Sequence, residues 1–257
     1  AEALPQYDIM YVSPHLDDVV FSCSAHIRSQ RRAGKKILVV TVFTAGHPTP
    51  SSLEASLRPY LDLEARREED CRAMRELGVD YCYLDLPEML LRHGGGGGRC
   101  CCLRGVPRIA WVWLLELARP DGQLQESLVE RLRGLMERAS CRWLIGPAAI
   151  GFHPDHILVH RACTELANET SLVWCYCDYP YCSYPAATSL RKRTLGRRHM
   201  FIDEEVELDQ EQIAYRKQML SMYDSQTCQV FGSNEQLFST IDRWPNEHFL
   251  KLQRVSK

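Results

Sequence analysis

The chain has 257 residues, 45% hydrophobic and 25% charged, with a formal net charge of -2. That length allows one large α/β domain with a substantial core. The near-neutral charge removes any bulk electrostatic ground for a nucleic-acid or anionic-membrane partner, and no run of about 18 apolar residues is present to span a bilayer.

Taken in chain order, short apolar runs alternate with helical patterns. Residues 8–13 (DIMYVS) predict a strand, and DVVFSCSAHIRSQRRAG predicts a helix ending at Gly34, a residue suited to a helix stop. KILVVTVFT (36–44) is a near-continuous β-branched run, as expected of a parallel strand covered on both faces. In SLRPYLDLEARREEDCRAMRELG, Leu63, Arg66, Glu69, Ala73 and Leu77 recur at helical spacing and Gly78 closes the helix. VDYCYLDL follows as a strand, ESLVERLRGLMERA as a helix, RWLIGP as a strand, HPDHILVHRACTELA as a helix and SLVWCYC as a strand.

Strands alternating with helices imply right-handed βαβ units, and so a Rossmann-like, doubly wound, mostly parallel sheet flanked by helices. The chain is expected to form a single domain over 1–257, with its core at about 7–226 and a C-terminal extension at 227–257. RHGGGGGRCCCLRG (92–105) reads as a flexible loop, and it lacks the framing of a phosphate cradle. The polar tail after Thr194 is expected to carry one helix, at 210–223, and then to be irregular.

The twelve cysteines include no C-x2-C pair and suggest no structural zinc site. A domain this large needs no disulfides, so reduced, buried thiols in a cytoplasmic protein are expected. If bridges form, Cys100 with Cys102 and Cys175 with Cys182 are the places for them. The opening AEALPQYD does not have the pattern of a signal peptide.

Two clusters carry chemistry. SPHLDD (13–18) follows the first strand, and GFHPDH (151–156) follows RWLIGP, so both lie at carboxyl ends of strands, where open α/β sheets bind ligands. His15 and Asp18 are three apart at a loop-to-helix junction and can face one point. A histidine from the second cluster, His153 or His156, completes two imidazoles and a carboxylate, a set that suits zinc with positions left open. Asp17 could accept the proton of an activated water, and Asp155 could fix an imidazole tautomer. Each cluster alone has an ordinary alternative: aspartates at a helix N-terminus, or a proline in a first helical turn. Their pairing on one rim favours a metal site.

These residues resemble the zinc-dependent de-N-acetylases related to N-acetylglucosaminyl-phosphatidylinositol deacetylase, the LmbE-like proteins. The signature (P/A)-H-x-D-D reads Pro14-His15-Leu16-Asp17-Asp18, and H-x-D-H reads His153-Pro154-Asp155-His156. Arg66, Glu69, Ala73, Leu77 and Gly78 match a helical motif between them; YCDYPY (176–181) and YDSQ (223–226) are similar to later motifs. The resemblance implies that His15, Asp18 and His156 ligate Zn2+. It implies further that Asp17 is the general base, and that His153, oriented by Asp155, serves the oxyanion or the leaving amine. Arg66 matches a position that contacts substrate in some relatives, whereas its ordinary reading is a solvated helix arginine.

Two departures stand out. Gly151 occupies a position where some relatives have a tyrosine that assists the oxyanion, so that another tyrosine, or zinc and His153, would have to serve. Cys177 replaces a motif glutamate. The implied reaction is hydrolysis of the N-acetyl group of a small-molecule N-acetylamino sugar. The rivals are a metal- and carbohydrate-binding protein of the same fold, and a nucleotide-binding protein, which the absence of G-x-G-x-x-G disfavours. The sequence does not specify the oligomeric state.

Overall fold

The computed structural model describes residues 5–45, 62–92, 121–141, 143–170, 173–197 and 199–254. The expected loop 92–105, with Cys100 and Cys102, lies outside them apart from Arg92, which ends a short helix. The elements are β1 (Ile9–Ser13), α1 (Asp18–Arg32), β2 (Ile37–Ala45), α2 (Leu63–Leu77), β3 (Asp80–Pro87) and α3 (Met89–Arg92). They continue with α4 (Gly122–Arg138), β4 (Trp143–Pro147), α5 (Pro154–Thr170), β5 (Val173–Tyr176), a 3-10 turn (Tyr181–Ser183) and α6 (Pro185–Leu195). Last come β6 (His199–Val206), α7 (Gln210–Leu220), α8 (Asp224–Val230), α9 (Asn234–Arg243) and β7 (Glu247–Arg254).

The strands form one 7-stranded sheet in the order β3-β2-β1-β4-β5-β7-β6. The first five pair in parallel, and β7 pairs antiparallel with both β5 and β6. Strands β1 and β2 are buried almost throughout, which explains their unbroken apolar sequences. Helices α1, α2, α7 and α9 pack their apolar stripes on one face, and α4 and α5 pack on the other. The fold is therefore the expected Rossmann-like, doubly wound sheet. Chain direction across it reverses at β1, which has β2 on one side and β4 on the other.

Gly78 ends α2 in left-handed backbone at φ 66°, and Asp62 caps the start of that helix by accepting the Ala65 N–H. Gly146 on β4 permits close helix packing, since a Cβ there would lie 2.7 Å from Cys163 Sγ on α5.

The expectation of an irregular end is corrected. The tail adds β6, α8, α9 and β7, and β7 inserts into the sheet with Cys175 opposite Leu250 and Ile202 opposite Lys251. Strand β6 hid itself because its outward residues Met200 and Ile202 are apolar yet more than half exposed, which blurs the period-two signal. In β7 the adjacent Phe249 and Leu250 are both buried, with the same effect. Nor is there a Cys175–Cys182 bridge: both thiols are free and buried. Among the described residues, no helix is long and apolar enough to cross a membrane.

The added strand grips the helix that leads out of the first cluster. Glu247, 1% exposed, accepts the Ala25 and His26 N–H groups in the middle of α1, while Arg216 Nη2 donates to the Phe21 carbonyl. Burial, opposed by Arg216 and the two N–H donors, raises the Glu247 carboxyl to about 7. Because its native pKa exceeds the unfolded value, the folded state holds the extra proton between about 4.5 and about 7, and stability falls as pH rises through that window. Glu247→Gln should remove this slope: wild type loses stability relative to the variant from about pH 5 to about pH 7. Urea denaturation at both pH values checks it, and parallel curves would contradict it.

Candidate metal and catalytic site

The site is built beside β1, where the strand order of the sheet reverses, the usual place for a ligand in such folds. Ser13, the last residue of β1, donates its hydroxyl to the His15 carbonyl at 2.7 Å and accepts the Val19 N–H at 3.1 Å. Pro14 O accepts the Phe43 N–H from β2. These bonds fold Pro14–Asp17 into a fixed turn above the strand. Asp17 stands at the N-cap of α1 but makes no side-chain cap bond, and Asp18 instead accepts the His15 N–H at 2.8 Å. The ordinary helix-capping alternative therefore does not describe these aspartates.

The second cluster meets the first. The rings of His15, His153 and His156 lie 5.0 to 5.2 Å apart, centroid to centroid. His15 Nδ1 is 3.1 Å and His156 Nε2 is 3.3 Å from the same oxygen, Asp18 Oδ2. The opposite ring nitrogen of each histidine is held by a carboxylate: His15 Nε2 lies 3.1 Å from Asp155 Oδ2, and His156 Nδ1 lies 2.6 Å from Asp178 Oδ1. Imidazoles backed in this way present their remaining nitrogens for coordination.

Among the described residues, two groups have donor spacing suitable for a divalent cation such as Zn2+: His15, Asp18 and His156, and His15, His153 and Asp155. The first fits better. In the second, the Asp155 carboxylate is already taken by the Met89 N–H at 3.0 Å and by Arg92 at 2.7 Å. The carboxylates of Asp17, Asp18, Glu88, Asp155 and Asp178 face the guanidiniums of Arg66 and Arg92 and the raised imidazoles of His15 and His156, and a divalent cation would take the place of the protons on those two rings.

Electrostatics separates the roles. Burial, then the negative Asp18, raise the Asp17 carboxyl to about 7 against the pull of Arg66 and His15. For Asp18, burial would raise the carboxyl, but His156 and His15 hold it well below its ordinary range. Burial opposes but does not prevent an increase at His156, which Asp18 and Asp178 raise to about 9. His15 is likewise raised, by Asp155 and Asp18 against burial. His153 goes the other way: burial, then the positive His15 and His156, depress it to about 3.

Asp155 meets His153 through its backbone, its N–H pointing at His153 Nδ1 at 3.2 Å, whereas its carboxylate serves His15. Nδ1 is thus an acceptor, and the neutral ring carries its proton on Nε2.

Arg66 is not a solvated helix arginine. It is 3% exposed, donates to Glu88 Oε1 at 2.6 Å and lies 3.8 Å from Asp17 Oδ2. Its neighbours on the same helical face are fixed by the later YDSQ stretch: Ser225 donates to Glu69 through both backbone and hydroxyl, and Tyr223 OH donates to Asp70 at 2.7 Å. Sequence reasoning missed Glu88, Arg92 and Asp178. Asp178 lay within the quoted YCDYPY motif, and Glu88 follows β3 on the same rim, so both carried a readable signal.

Fold and donor set together define an α/β protein with a metal-capable histidine–aspartate centre at the switch point of its sheet. Residues 10–167 match the family described as PIG-L: GlcNAc-PI de-N-acetylase, and the chain belongs to that family. It is 29% identical over 202 residues to the 2'-N-acetylparomamine deacetylase of Streptomyces fradiae, covering 76% of this chain and 64% of that protein. It is 26% identical to the protein of that name from Niallia circulans, over 67% of this chain and 66% of the relative. The chain thus spans just under two thirds of the length of these curated relatives. The deacetylase triple mutant Orf2*T of the teicoplanin biosynthetic pathway superposes with a TM-score of 0.76 at 22% identity, over 97% of this chain and 99% of that one. The A40926 pseudoaglycone deacetylase Dbv21 gives 0.74 at 21%, over 98% and 99%. At these identities the two structures report the fold alone.

The buried Arg66 generates a test. Arg66→Met leaves Glu88 and Asp17 without the guanidinium between them, and the unfolding free energy should fall by about 3–5 kcal/mol in urea titration. An arginine serving substrate contact alone would leave that value unchanged and raise KM.

Proposed function

We propose that the protein is a zinc-dependent N-deacetylase that hydrolyses the acetamide of an N-acetylamino sugar, a GlcNAc-type unit in a glycoside or conjugate. The observation that carries this reading is the convergence of His15 Nδ1 and His156 Nε2 on Asp18 Oδ2, with Asp17 and His153 beside it. The curated relatives named for 2'-N-acetylparomamine support a soluble amino-sugar acceptor.

An amide has a weak electrophilic carbon and a poor leaving group. His15, Asp18 and His156 would hold Zn2+, which when bound polarises the carbonyl and acidifies the attacking water. Asp17 takes that water's proton: burial gives it a basicity near neutral pH that a surface aspartate lacks. Arg66, packed between Asp17 and Glu88, keeps the carboxylate in place without neutralising it fully.

His153, neutral and protonated on Nε2, donates to the carbonyl oxygen as negative charge builds there. Asp17 then returns the proton to the departing amine, so that water and amide give acetate and a free amino group. Asp155 acts at two points, its carboxylate on His15 and its N–H on His153.

The test is acetate release from a panel of N-acetylated aminoglycosides, chitobiose and glycopeptide conjugates, run with zinc and with a chelator. Chelator-sensitive release from at least one member is expected. Asp17→Asn should retain zinc while losing turnover by roughly 10²–10⁴-fold, whereas His15→Ala should lose zinc itself. Full activity in folded Asp17→Asn would sink the base assignment. Bound zinc with no release from any member would favour a binding protein.

A further inference from the structure

The loop between β4 and α5 delivers His153, and its backbone is strained. Ala149 at φ 60°, Gly151 at φ 90° and Phe152 at φ 59° all lie in the left-handed region, which residues with a side chain rarely adopt. Such a path persists only where its surroundings over-determine it.

Here they do. Ala148 donates its N–H to the Tyr176 carbonyl and accepts Arg191 Nε at 2.6 Å. Gly151 packs so closely on Tyr181 that a Cβ would lie 2.7 Å from that ring's Cγ. Between these points the Ile150 N–H donates to Asp178 Oδ2 at 2.9 Å. The other oxygen of the same carboxylate, Oδ1, accepts His156 Nδ1 at 2.6 Å. Asp178 is 1% exposed, so no solvent can replace either bond.

We propose that Asp178 is a positioning residue that couples the two halves of the second cluster: one oxygen aims the His156 imidazole at the metal, and the other fixes the strained loop that delivers His153. The proposal rests on the functional reading above, but its first readouts do not need turnover. An ionised carboxylate can accept both donors at once, whereas a carboxamide has one acceptor oxygen and would turn its NH2 toward either Ile150 N–H or His156 Nδ1–H.

Asp178→Asn keeps the volume of the side chain and separates the two functions of its oxygens. In the variant, shown to be folded by circular dichroism, zinc should bind roughly 10–100-fold more weakly in chelator competition. Amide exchange across residues 148–153 should also accelerate. Unchanged zinc affinity together with unchanged exchange would overturn the proposal, since a merely structural residue would lower the melting temperature alone.

If Asp178→Asn does not fold, Arg191→Met decides, because it loosens the same loop at Ala148 without touching His156. Faster exchange at 148–153 together with weaker zinc binding would support the coupling, because the loosened loop acts on His156 through Asp178. Faster exchange with zinc affinity unchanged, or unchanged exchange, would overturn it. If wild type releases no acetate while Asp178→Asn still weakens zinc binding, the functional reading fails and the positioning role stands.

Discussion

The structure turns on one oxygen, Asp18 Oδ2, which two buried imidazoles approach at 3.1 and 3.3 Å. A carboxylate and two histidines gathered in a low-dielectric interior are costly unless charge is balanced and each polar atom is engaged. The surroundings follow from that requirement. Asp155 and Asp178 back the imidazoles, Arg92 backs Asp155, and Arg66 lies between Glu88 and Asp17. What remains is the point where nitrogen and oxygen donors converge, at which a divalent cation would take the place of the imidazole protons.

The doubly wound sheet makes such a gathering feasible. Strands β1 and β4 are neighbours and parallel, so the turns leaving them arise side by side although more than a hundred residues separate them in sequence. Buried apolar strands hold that rim rigid, while Ser13 on one turn and Asp178 beside the other convert strand rigidity into side-chain placement. The matched family region ends at 167, yet much of the support comes from beyond it. Asp178 orients His156, Tyr223 and Ser225 brace the helix of Arg66, and Arg216 with Glu247 clasps α1 behind Asp18.

This division bears on how the two aspartates of one dipeptide come to differ. Asp17 and Asp18 are adjacent, but Asp18 faces two imidazoles and Asp17 faces Arg66 at a longer distance. One is held ionised and the other is pushed up to about 7 by burial and by its neighbour's charge. In the proposed reaction the first holds a cation and the second moves a proton, roles that require opposite electrostatic settings.

The order of strands and helices through β5 was legible because their apolar periodicity is local, and the meeting of SPHLDD with GFHPDH followed from strand direction alone. Burial depends on what packs from elsewhere, and this the sequence did not display. Arg66 looked like a surface residue until β3 brought Glu88 against it. Asp155 pointed to His153 by proximity in sequence, whereas folding turned its carboxylate to His15 and left its N–H for His153. Strand β6 was hidden because its exposed face carries Met200 and Ile202, and β7 because the adjacent Phe249 and Leu250 are both buried. The sequence by itself determined the parallel part of the sheet and the two histidine–aspartate clusters on its rim, since both are written in short-range patterns. Only the tertiary structure decided which carboxylate faces which imidazole, because those pairings join residues that are distant along the chain and close only across the sheet's rim.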